Sequence, residues 1–197
     1  SLVFSGSNTS PQNEETTRKP LCNYSRQKVL SEDLLIKLGV KYDIPVLVPI
    51  FYNHESFKRQ EKFFTKKVIS FFSKKSKNKE LNIGNKITLY NPDSIIDMGY
   101  AEEYIDILLK LSFSDNTGSY IFSTGHSMTV KCFVNYVLDY YGLSDNSISY
   151  MSTIARNKTC LLGDNSKLAK AIGCIPSING KKLAIKLCND YENHINN

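Results

Sequence analysis

Apolar and polar positions along this chain follow the periods of helices and strands in alternation. A helical period begins at Tyr24 and ends near Gly39, a glycine expected just past the helix. The apolar face expected to hold this helix against a sheet comprises Val29, Leu30, Leu34, Leu35 and Leu38. A continuous apolar run over residues 45–51 follows, typical of a strand buried on both faces with prolines near its ends. With the apolar stretch 1–5 as an earlier strand, this order predicts a parallel α/β sheet with a right-handed crossover.

The remainder of the chain carries further helical and strand patterns. Thr129 can cap a helix that ends at Gly142, because its hydroxyl can accept a backbone N–H of the first turn. The other predicted helices cover residues 63–72, 101–111, 166–172 and 179–192, and the other predicted strands cover 81–89 and 120–122. No internal repeat interrupts this alternation.

The composition is that of an ordinary globular protein. Of 197 residues, 41% are hydrophobic and 22% charged, which suffices for one domain with a core and is too apolar for a disordered chain. No apolar run approaches the ~18 residues of a membrane-spanning helix. The first residues lack both an initiator Met and the features of a signal peptide, so we expect the sequence to begin inside a longer chain.

The cysteines indicate a reducing compartment. Their number, five, is odd, and no two form a C-x-x-C pair. Neither a disulfide framework nor a zinc site is therefore indicated. Cys132 and Cys188 fall within helical patterns, where a free cysteine behaves as a small core residue. We expect a cytoplasmic protein.

The net charge of +6 is concentrated between Lys58 and Lys79. Such a basic cluster can bind nucleic acid, an anionic membrane or a phosphorylated ligand, or can be a solvated surface. Phenylalanines interleave with the basic residues at helical spacing, which favours a buried helix face over stacking platforms for bases. We therefore expect no nucleic-acid and no membrane partner, and a basic nucleic-acid-binding protein remains only a third hypothesis.

The residues most suggestive of chemistry are Tyr24 and Lys28. Spaced four apart on a helix, they project from the same face, one turn from each other. A phenol titrates near ~10, and a nearby ammonium favours the phenolate, which makes such a tyrosine usable for proton transfer at neutral pH. Taken alone, the spacing also fits a solvated tyrosine and a surface lysine.

Ordered motifs behind this pair resemble one family. Residues 53–56 read N-H-E-S and residues 63–67 read F-F-T-K-K, similar to the N-H-E-S … F-V-T-R-K of GDP-mannose 4,6-dehydratases. Further matches are I-G-N at 83–85, G-Y-A-E-E-Y at 99–104, S-T-G at 123–125, and L-L-G-D at 161–164 with Lys167. In this order, across nearly the whole chain, they resemble the extended short-chain dehydrogenases that act on nucleotide sugars.

The resemblance implies a catalytic set and a cofactor. Tyr24 would remove the proton from a sugar hydroxyl as hydride leaves that carbon for NADP⁺, and Lys28 would hold the nicotinamide ribose. Ser1 corresponds to the family's catalytic Ser or Thr in S/T-x-x-x-Y-G if Gly6 is its glycine. His54 would lie beside the nicotinamide. The implied cofactor is NADP, with NAD as the alternative.

The resemblance also implies a site for a nucleotide sugar, GDP-mannose or a similar one. Asn53 and Phe64 would contact the substrate, Lys67 would meet the GDP portion, and Arg156 would match the family's arginine on the diphosphate. A guanidinium and an ammonium suit a diphosphate on physical grounds as well. Family members usually associate through helices like that of Tyr24, which implies a homo-oligomer.

Departures from the family's pattern bear on activity. No G-x-x-G-x-x-G follows a strand, so the loop that would meet the dinucleotide pyrophosphate is not in this sequence, which alone should hold NADP(H) weakly. The family's glutamate two residues after Ser1 falls on Val3, or on Leu2 with a shift of one, so deprotonation at C5 has no evident base. The family's Arg and Trp fall on Ile96 and Met98, which weakens diphosphate binding.

These observations predict an α/β fold with the C-terminal part of a Rossmann-type parallel sheet and a small mixed α/β substrate-binding lobe. Residues 1–55 are expected in the Rossmann domain, and 56–197 mainly in the nucleotide-sugar-binding lobe, with some segments returning to the sheet. The leading hypothesis is a GDP-mannose 4,6-dehydratase-like lyase, which oxidises the sugar at C4 and then removes water. The alternative is a truncated or degenerate non-catalytic relative that binds a nucleotide sugar or a partner subunit.

Overall fold

The structure is a computed structural model that describes residues 1–77, 86–152 and 160–196. Its helices are α1 (Asn23–Tyr42), α2 (Phe64–Lys77), α3 (Ala101–Ser112), α4 (Val130–Tyr141), α5 (Ser166–Ile172) and α6 (Gly180–Asn196). Its strands are β1 (Leu47–Phe51), β2 (Asn53–Glu55), β3 (Ile87–Tyr90), β4 (Ile95–Tyr100), β5 (Gly118–Phe122), β6 (Ser127–Thr129) and β7 (Ile148–Met151). Short 3₁₀ helices cover Leu2–Phe4 and Asp145–Ser147. No helix within the described ranges combines the length and apolarity needed to cross a membrane.

Strands β1 and β5 pair in parallel, with helices on both faces. One face packs on α3 and α5 around Leu111, Phe122 and Leu168. The other packs on the N-terminal segment and α1 around Phe4 and Val29. Coverage of both faces is the arrangement that a parallel sheet requires, so the predicted α/β class is confirmed. β5 belongs to this sheet although it lies beyond residue 55 in the chain. The predicted division at residue 55 into a Rossmann domain and a substrate-binding lobe stays a prediction.

Pro49 lies inside β1, not at its end, and the ladder explains why it is tolerated. Gly118 N donates to the Val46 carbonyl oxygen at 2.7 Å, and Tyr52 N donates to the Phe122 carbonyl oxygen at 2.9 Å. Backbone groups alternate between the two edges of a strand, so position 49 points away from β5. The N–H that proline lacks is therefore not needed for the β1–β5 ladder.

The orientation of α1 corrects the predicted buried face. Four leucines predicted to face the sheet are between 39% and 67% exposed, namely Leu30, Leu34, Leu35 and Leu38. The residues that α1 buries are instead Ser25, Glu32 and Gly39, spaced seven apart along one stripe of the helix. Of the predicted face, Val29 packs on the core. α1 therefore contacts the sheet mainly through polar and small residues, and its leucine face is turned outward.

The sequence predicts Gly39 as the end of this helix, and that prediction is wrong. α1 continues to Tyr42, and Asp43 takes the left-handed conformation with φ 54°. A Cβ on Gly39 would lie 2.6 Å from Val46 Cγ2 and 2.9 Å from the Ile44 carbonyl oxygen. The glycine is needed because the chain after α1 folds back closely over the helix.

Helices α2, α4 and α6 pack together into a second core. Phe72, Phe133 and Leu187 are buried there, one from each helix. The predicted cap of α4 is confirmed, because Thr129 Oγ1 accepts the Cys132 N–H at 3.0 Å. α4 ends at Gly142 in the left-handed conformation, also as predicted. Strands β3 and β7 pair in parallel, and β2, β4 and β6 form a three-stranded sheet.

The remaining predicted elements differ from the structure mainly at their ends. α3 and α5 begin at the predicted residues, whereas α2 extends to Lys77 and α6 to Asn196. The stretch 1–5 is a 3₁₀ turn, not a strand, because Phe4 N donates to the Ser1 carbonyl oxygen at 2.9 Å. β3 occupies the end of the strand predicted at 81–89, and residues 78–85 lie outside the described part.

Candidate functional site

The first turns of α1 place Tyr24 and Lys28 together on an open surface. Ser25 stabilises this end of the helix, since its Oγ donates to the Cys22 carbonyl oxygen at 3.0 Å. Tyr24 is 59% exposed, and Lys28 Nζ lies 5.6 Å from the centroid of its ring. An ammonium at this distance over a phenol ring makes a cation–π contact. The helical spacing brings the pair together as predicted from sequence and leaves the tyrosine accessible.

Ser1 lies at the carboxyl end of β1. Its backbone nitrogen donates to the Phe51 carbonyl oxygen at 2.6 Å, and Phe51 is the last residue of that strand. Asn53 and His54 follow directly in β2. Ligands of open α/β sheets bind outside the carboxyl ends of the strands. Three predicted site residues therefore lie at the edge where a ligand is expected.

The two positions after Ser1 differ in exposure. Val3 is 9% exposed and packs in the core, whereas Leu2 is 45% exposed. Of the two positions offered by the resemblance for the family's glutamate, Leu2 is the one open to a ligand. An aliphatic side chain cannot accept a proton, so this position supplies no base.

His54 is held by one hydrogen bond and two rings. Its Nδ1 lies 2.9 Å from the Tyr52 carbonyl oxygen, and because a carbonyl only accepts, Nδ1 carries the hydrogen. In the neutral ring, Nε2 then keeps its lone pair. The imidazole centroid lies 5.2 Å from that of Phe51 and 5.6 Å from that of Tyr104. The histidine is thus oriented before any ligand binds.

Asn53 and Glu55 connect β2 to its surroundings. Asn53 Nδ2 donates to the Asp97 carbonyl oxygen at 3.2 Å. The buried Glu55 carboxylate accepts Thr65 Oγ1 at 2.6 Å. Burial raises the pKa of Glu55, while the bond from Thr65 and the charge of Arg59 act to lower it. Glu55 therefore holds the loop that leads into α2.

A cavity of about 450 Å³ opens beside this segment. Its lining residues are His54, Ser56, Lys58, Arg59, Gln60, Phe63 and Ala101. Two of them are cationic and none is acidic, which favours an anionic ligand. The Arg59 guanidinium stacks 4.1 Å from the Phe63 centroid, and its Nε lies 3.3 Å from a Glu55 oxygen. Of these cavity residues, His54 was predicted from sequence. Sequence reasoning missed Lys58, Arg59, Gln60 and Phe63, although they closely follow the N-H-E-S segment.

The other predicted substrate contacts lie elsewhere. Phe64 is half-buried on the helical core, with its ring centroid 5.4 Å from that of Phe133. Lys67 is exposed beside β3, its Nζ 3.5 Å from the Thr88 carbonyl oxygen. Neither side chain lines the cavity beside His54. Arg156 lies outside the described residues.

A buried carboxylate that sequence reasoning missed joins two of the motifs. Asp97 accepts Thr124 Oγ1 at 2.7 Å and the backbone N–H groups of Thr124, Gly125 and Gly163 at 2.9, 3.1 and 3.3 Å. The S-T-G and L-L-G-D segments therefore meet at this side chain. Their hydrogen bonds contribute to the fold behind the site.

The chain is similar in sequence to GDP-mannose 4,6-dehydratases. A family model described as GDP-mannose 4,6 dehydratase matches residues 1–185. The GDP-mannose 4,6-dehydratase of Sinorhizobium fredii is 28% identical over 136 residues, which are 68% of this chain and 37% of that protein. GDP-mannose 4,6 dehydratase 1 of Arabidopsis thaliana is 26% identical over 184 residues, 90% of this chain and 49% of that protein. The chain spans half or less of the length of these two relatives.

Solved structures share the fold. RMD from Pseudomonas aeruginosa, determined with NADPH, superposes with a TM-score of 0.84 at 19% identity, over 94% of this chain and 61% of that one. The dTDP-glucose 4,6-dehydratase of Bacillus anthracis, determined with NAD, superposes with a TM-score of 0.83 at 15% identity, over 96% of this chain and 58% of that one. At these identities the likeness concerns the fold, which is the predicted Rossmann-type α/β architecture.

Proposed function

The chain belongs to the GDP-mannose 4,6-dehydratase family, and on this premise we propose that it carries the tyrosine, lysine and substrate-side residues of a nucleotide-sugar 4,6-dehydratase. The observation that carries the proposal is the accessible Tyr24–Lys28 pair, with Ser1 and His54 at the carboxyl end of the adjoining sheet. Such an enzyme oxidises the sugar at C4, eliminates water across C5 and C6, and returns the hydride to C6.

Proton transfer is the step that this chain's own residues support. Tyr24 takes the proton of the sugar's C4 hydroxyl, and the Lys28 ammonium stabilises the phenolate. The Ser1 hydroxyl lies on the adjoining segment and hydrogen-bonds the reacting oxygen. The helix spacing keeps the lysine over the phenol ring, which supports this division of roles.

The proposed cofactor is NADP, with NAD as the alternative. Tyr24 and Lys28 present an open surface, and the oriented His54 lines the adjoining cavity, so these residues fit the nicotinamide and its ribose. The pyrophosphate end has no glycine-rich loop within this sequence. Tyr24, Lys28 and His54 would hold the nicotinamide end of the cofactor, which would supply the hydride-transfer chemistry of the reaction.

The proposed substrate is a nucleotide sugar, GDP-mannose or a similar one. The cavity beside His54 supports a phosphate-bearing ligand, because Lys58 and Arg59 line it and no carboxylate does. Ammonium and guanidinium groups match a diphosphate in charge and hydrogen bonding. Asn53, Phe64, Lys67 and Arg156 remain proposed contacts.

One observation favours a second function. The exposed position after Ser1 is Leu2, so removal of the C5 proton has no carboxylate there. A non-catalytic relative that binds a nucleotide sugar or a partner subunit would keep the cavity without needing this base. The enzyme turns over the nucleotide sugar, whereas the non-catalytic relative does not.

We also propose a cytoplasmic homo-oligomer that associates through α1. The outward leucines of this helix form an exposed apolar stripe flanked by further exposed apolar residues such as Val40 and Tyr42. Large contiguous apolar surfaces on soluble proteins usually mark interaction sites. Burial of this stripe by a second α1 would remove it from water.

The test uses the full-length protein with GDP-mannose and NADP⁺, followed by mass spectrometry of the sugar nucleotide. We expect loss of one water from the substrate, and in Y24F a fall in kcat of about 10²–10⁴-fold. Y42F is the matched control, because Tyr42 is also exposed on α1 beneath a lysine, with Lys41 Nζ 4.9 Å from its ring centroid. Binding without turnover would select the non-catalytic relative. A failure to bind the nucleotide sugar would reject the enzyme and the sugar-binding relative, and would leave only the relative that binds a partner subunit.

A further inference from the structure

Arg18 contacts both segments that carry the proposed catalytic hydroxyls. Toward α1, its Nη2 and Nε donate to the two carboxylate oxygens of Glu32 at 2.6 and 3.2 Å. Toward the N-terminal segment, its guanidinium carbon lies 5.0 Å from the centroid of the Phe4 ring. Phe4 ends the short 3₁₀ helix that Ser1 caps. One side chain therefore lies between the Ser1 segment and the helix of Tyr24.

This ion pair is buried and connected to further elements. The Arg18 side chain is 17% exposed and that of Glu32 8%. Arg18 Nη1 donates to the Glu14 and Thr16 carbonyl oxygens at 2.7 and 2.9 Å, which fixes the guanidinium in its loop. Ser119 Oγ of β5 donates to Glu32 Oε1 at 2.9 Å. A two-bond arginine–carboxylate pair sets distance and angle together, so the loop, α1 and β5 are held in one geometry.

The position of Glu32 makes this geometry matter for the proposed site. Glu32 lies one turn beyond Lys28 and two turns beyond Tyr24 on the same helix. Of the buried positions on α1, Ser25, Glu32 and Gly39, Glu32 is the one with a charged group, whereas the leucine face of the helix is largely exposed. The rotation and height of α1 over the sheet therefore depend on the bonds of Glu32.

We propose that Arg18 and Glu32 are positioning residues that set the Tyr24–Lys28 pair relative to Ser1. The catalytic consequence rests on the proposed function, whereas the structural coupling does not. Neither residue lines the cavity beside His54, so ligand binding depends on other side chains. A displaced phenol slows proton transfer from a bound sugar without removing a contact in the cavity that holds its diphosphate, so the effect belongs in kcat and not in the KM for the nucleotide sugar.

The test compares R18K with the matched control R26K in the full-length protein. Lysine keeps the charge of Arg18 but not its planar fork, and Arg26 is an exposed arginine of α1 whose Nη1 lies 3.4 Å from Asn23 Oδ1. We expect kcat of R18K to fall about 10- to 100-fold with KM within about twofold, the size of effect that a misplacement of about 1 Å produces. The kcat of E32Q should lie between those of wild type and R18K, because the amide keeps one oxygen that can accept a hydrogen bond from Arg18 or Ser119. R26K should match wild type.

Hydrogen exchange by mass spectrometry gives the second readout. Peptides covering residues 1–6 and 23–32 should exchange faster in R18K than in R26K, because both segments lose their common contact. Faster exchange with unchanged kcat would overturn the positioning role, and unchanged exchange in both peptides would overturn the coupling. If wild type shows no turnover, the proposed function fails, and the inference is then decided by the exchange of the two peptides alone.

Discussion

Replacement of Gly39 by alanine tests how closely α1 packs against the segment that follows it. The new Cβ would lie 2.6 Å from Val46 Cγ2 and 2.9 Å from the Ile44 carbonyl oxygen. Carbon atoms in contact prefer roughly 3.5–4.0 Å, so the methyl group overlaps the valine by about 1 Å. The valine side chain can rotate, but the carbonyl oxygen belongs to the backbone and cannot move without the segment after α1.

Two opposing effects determine how much the G39A substitution changes the free energy of unfolding. Alanine in a helix interior is favoured over glycine by about 1 kcal/mol. Overpacking a tight site costs about 1–3 kcal/mol, and the backbone contact places Gly39 at the upper end of that range. We therefore expect a net loss of about 2 kcal/mol, which in a protein of this size lowers Tm by about 4–8 °C.

The assay is urea and thermal unfolding of G39A beside the control S31A. Ser31 is exposed on the same helix, so alanine there meets no clash and should leave stability unchanged or slightly raised. In a V46A background, G39A should lower the free energy of unfolding by less, because one of the two close contacts is gone. A G39A variant more stable than wild type by about 1 kcal/mol, as at an unconstrained helix glycine, would refute the packing argument.

Two further predictions concern ionisable groups. Burial raises the pKa of Glu55 above its unfolded value, so ionisation is less favourable in the folded state and this carboxyl subtracts stability as pH rises above about 4. The free energy of unfolding of wild type relative to E55Q should fall between pH 4 and 7 in urea titrations, and a rise would contradict the sign. Burial also raises the pKa of the Cys188 thiol to about 12, so at pH 8 a thiol reagent should modify it only after unfolding. Peptide mapping should find the exposed Cys22 modified in the native protein, and equal labelling of both would contradict the burial.

Sequence patterns predicted elements well where the signal is local. α4 begins after Thr129 and ends at Gly142 because a capping hydroxyl and a left-handed glycine act within one turn of the helix. α1 shows the limit of the same reasoning. Its leucine period is real, but a period identifies an apolar face and does not say what that face meets. The face is outward because the inward position holds Glu32, whose partner Arg18 lies in a loop fourteen residues earlier.

The candidate site divides in the same way. Tyr24 and Lys28 meet because four residues make one helical turn, so their spacing was readable from sequence. The cavity of Lys58, Arg59 and Phe63 was not, because its shape depends on how the N-H-E-S segment and α3 meet across β2 and β4. The roles predicted for Ser1, His54, Asn53, Phe64, Lys67 and Arg156 stay predictions.

The sequence by itself determined the order of motifs and hence the family, the α/β class, the Tyr24–Lys28 spacing and the lack of a carboxylate at Leu2 and Val3. These are properties of residue identity and of short-range geometry. The tertiary structure alone decided which face of α1 is buried, why Gly39 is glycine, and that Asp97 joins two distant motifs. Each of those depends on a contact between segments far apart in the chain, whose free energy is gained only when the chain folds and which no local period encodes.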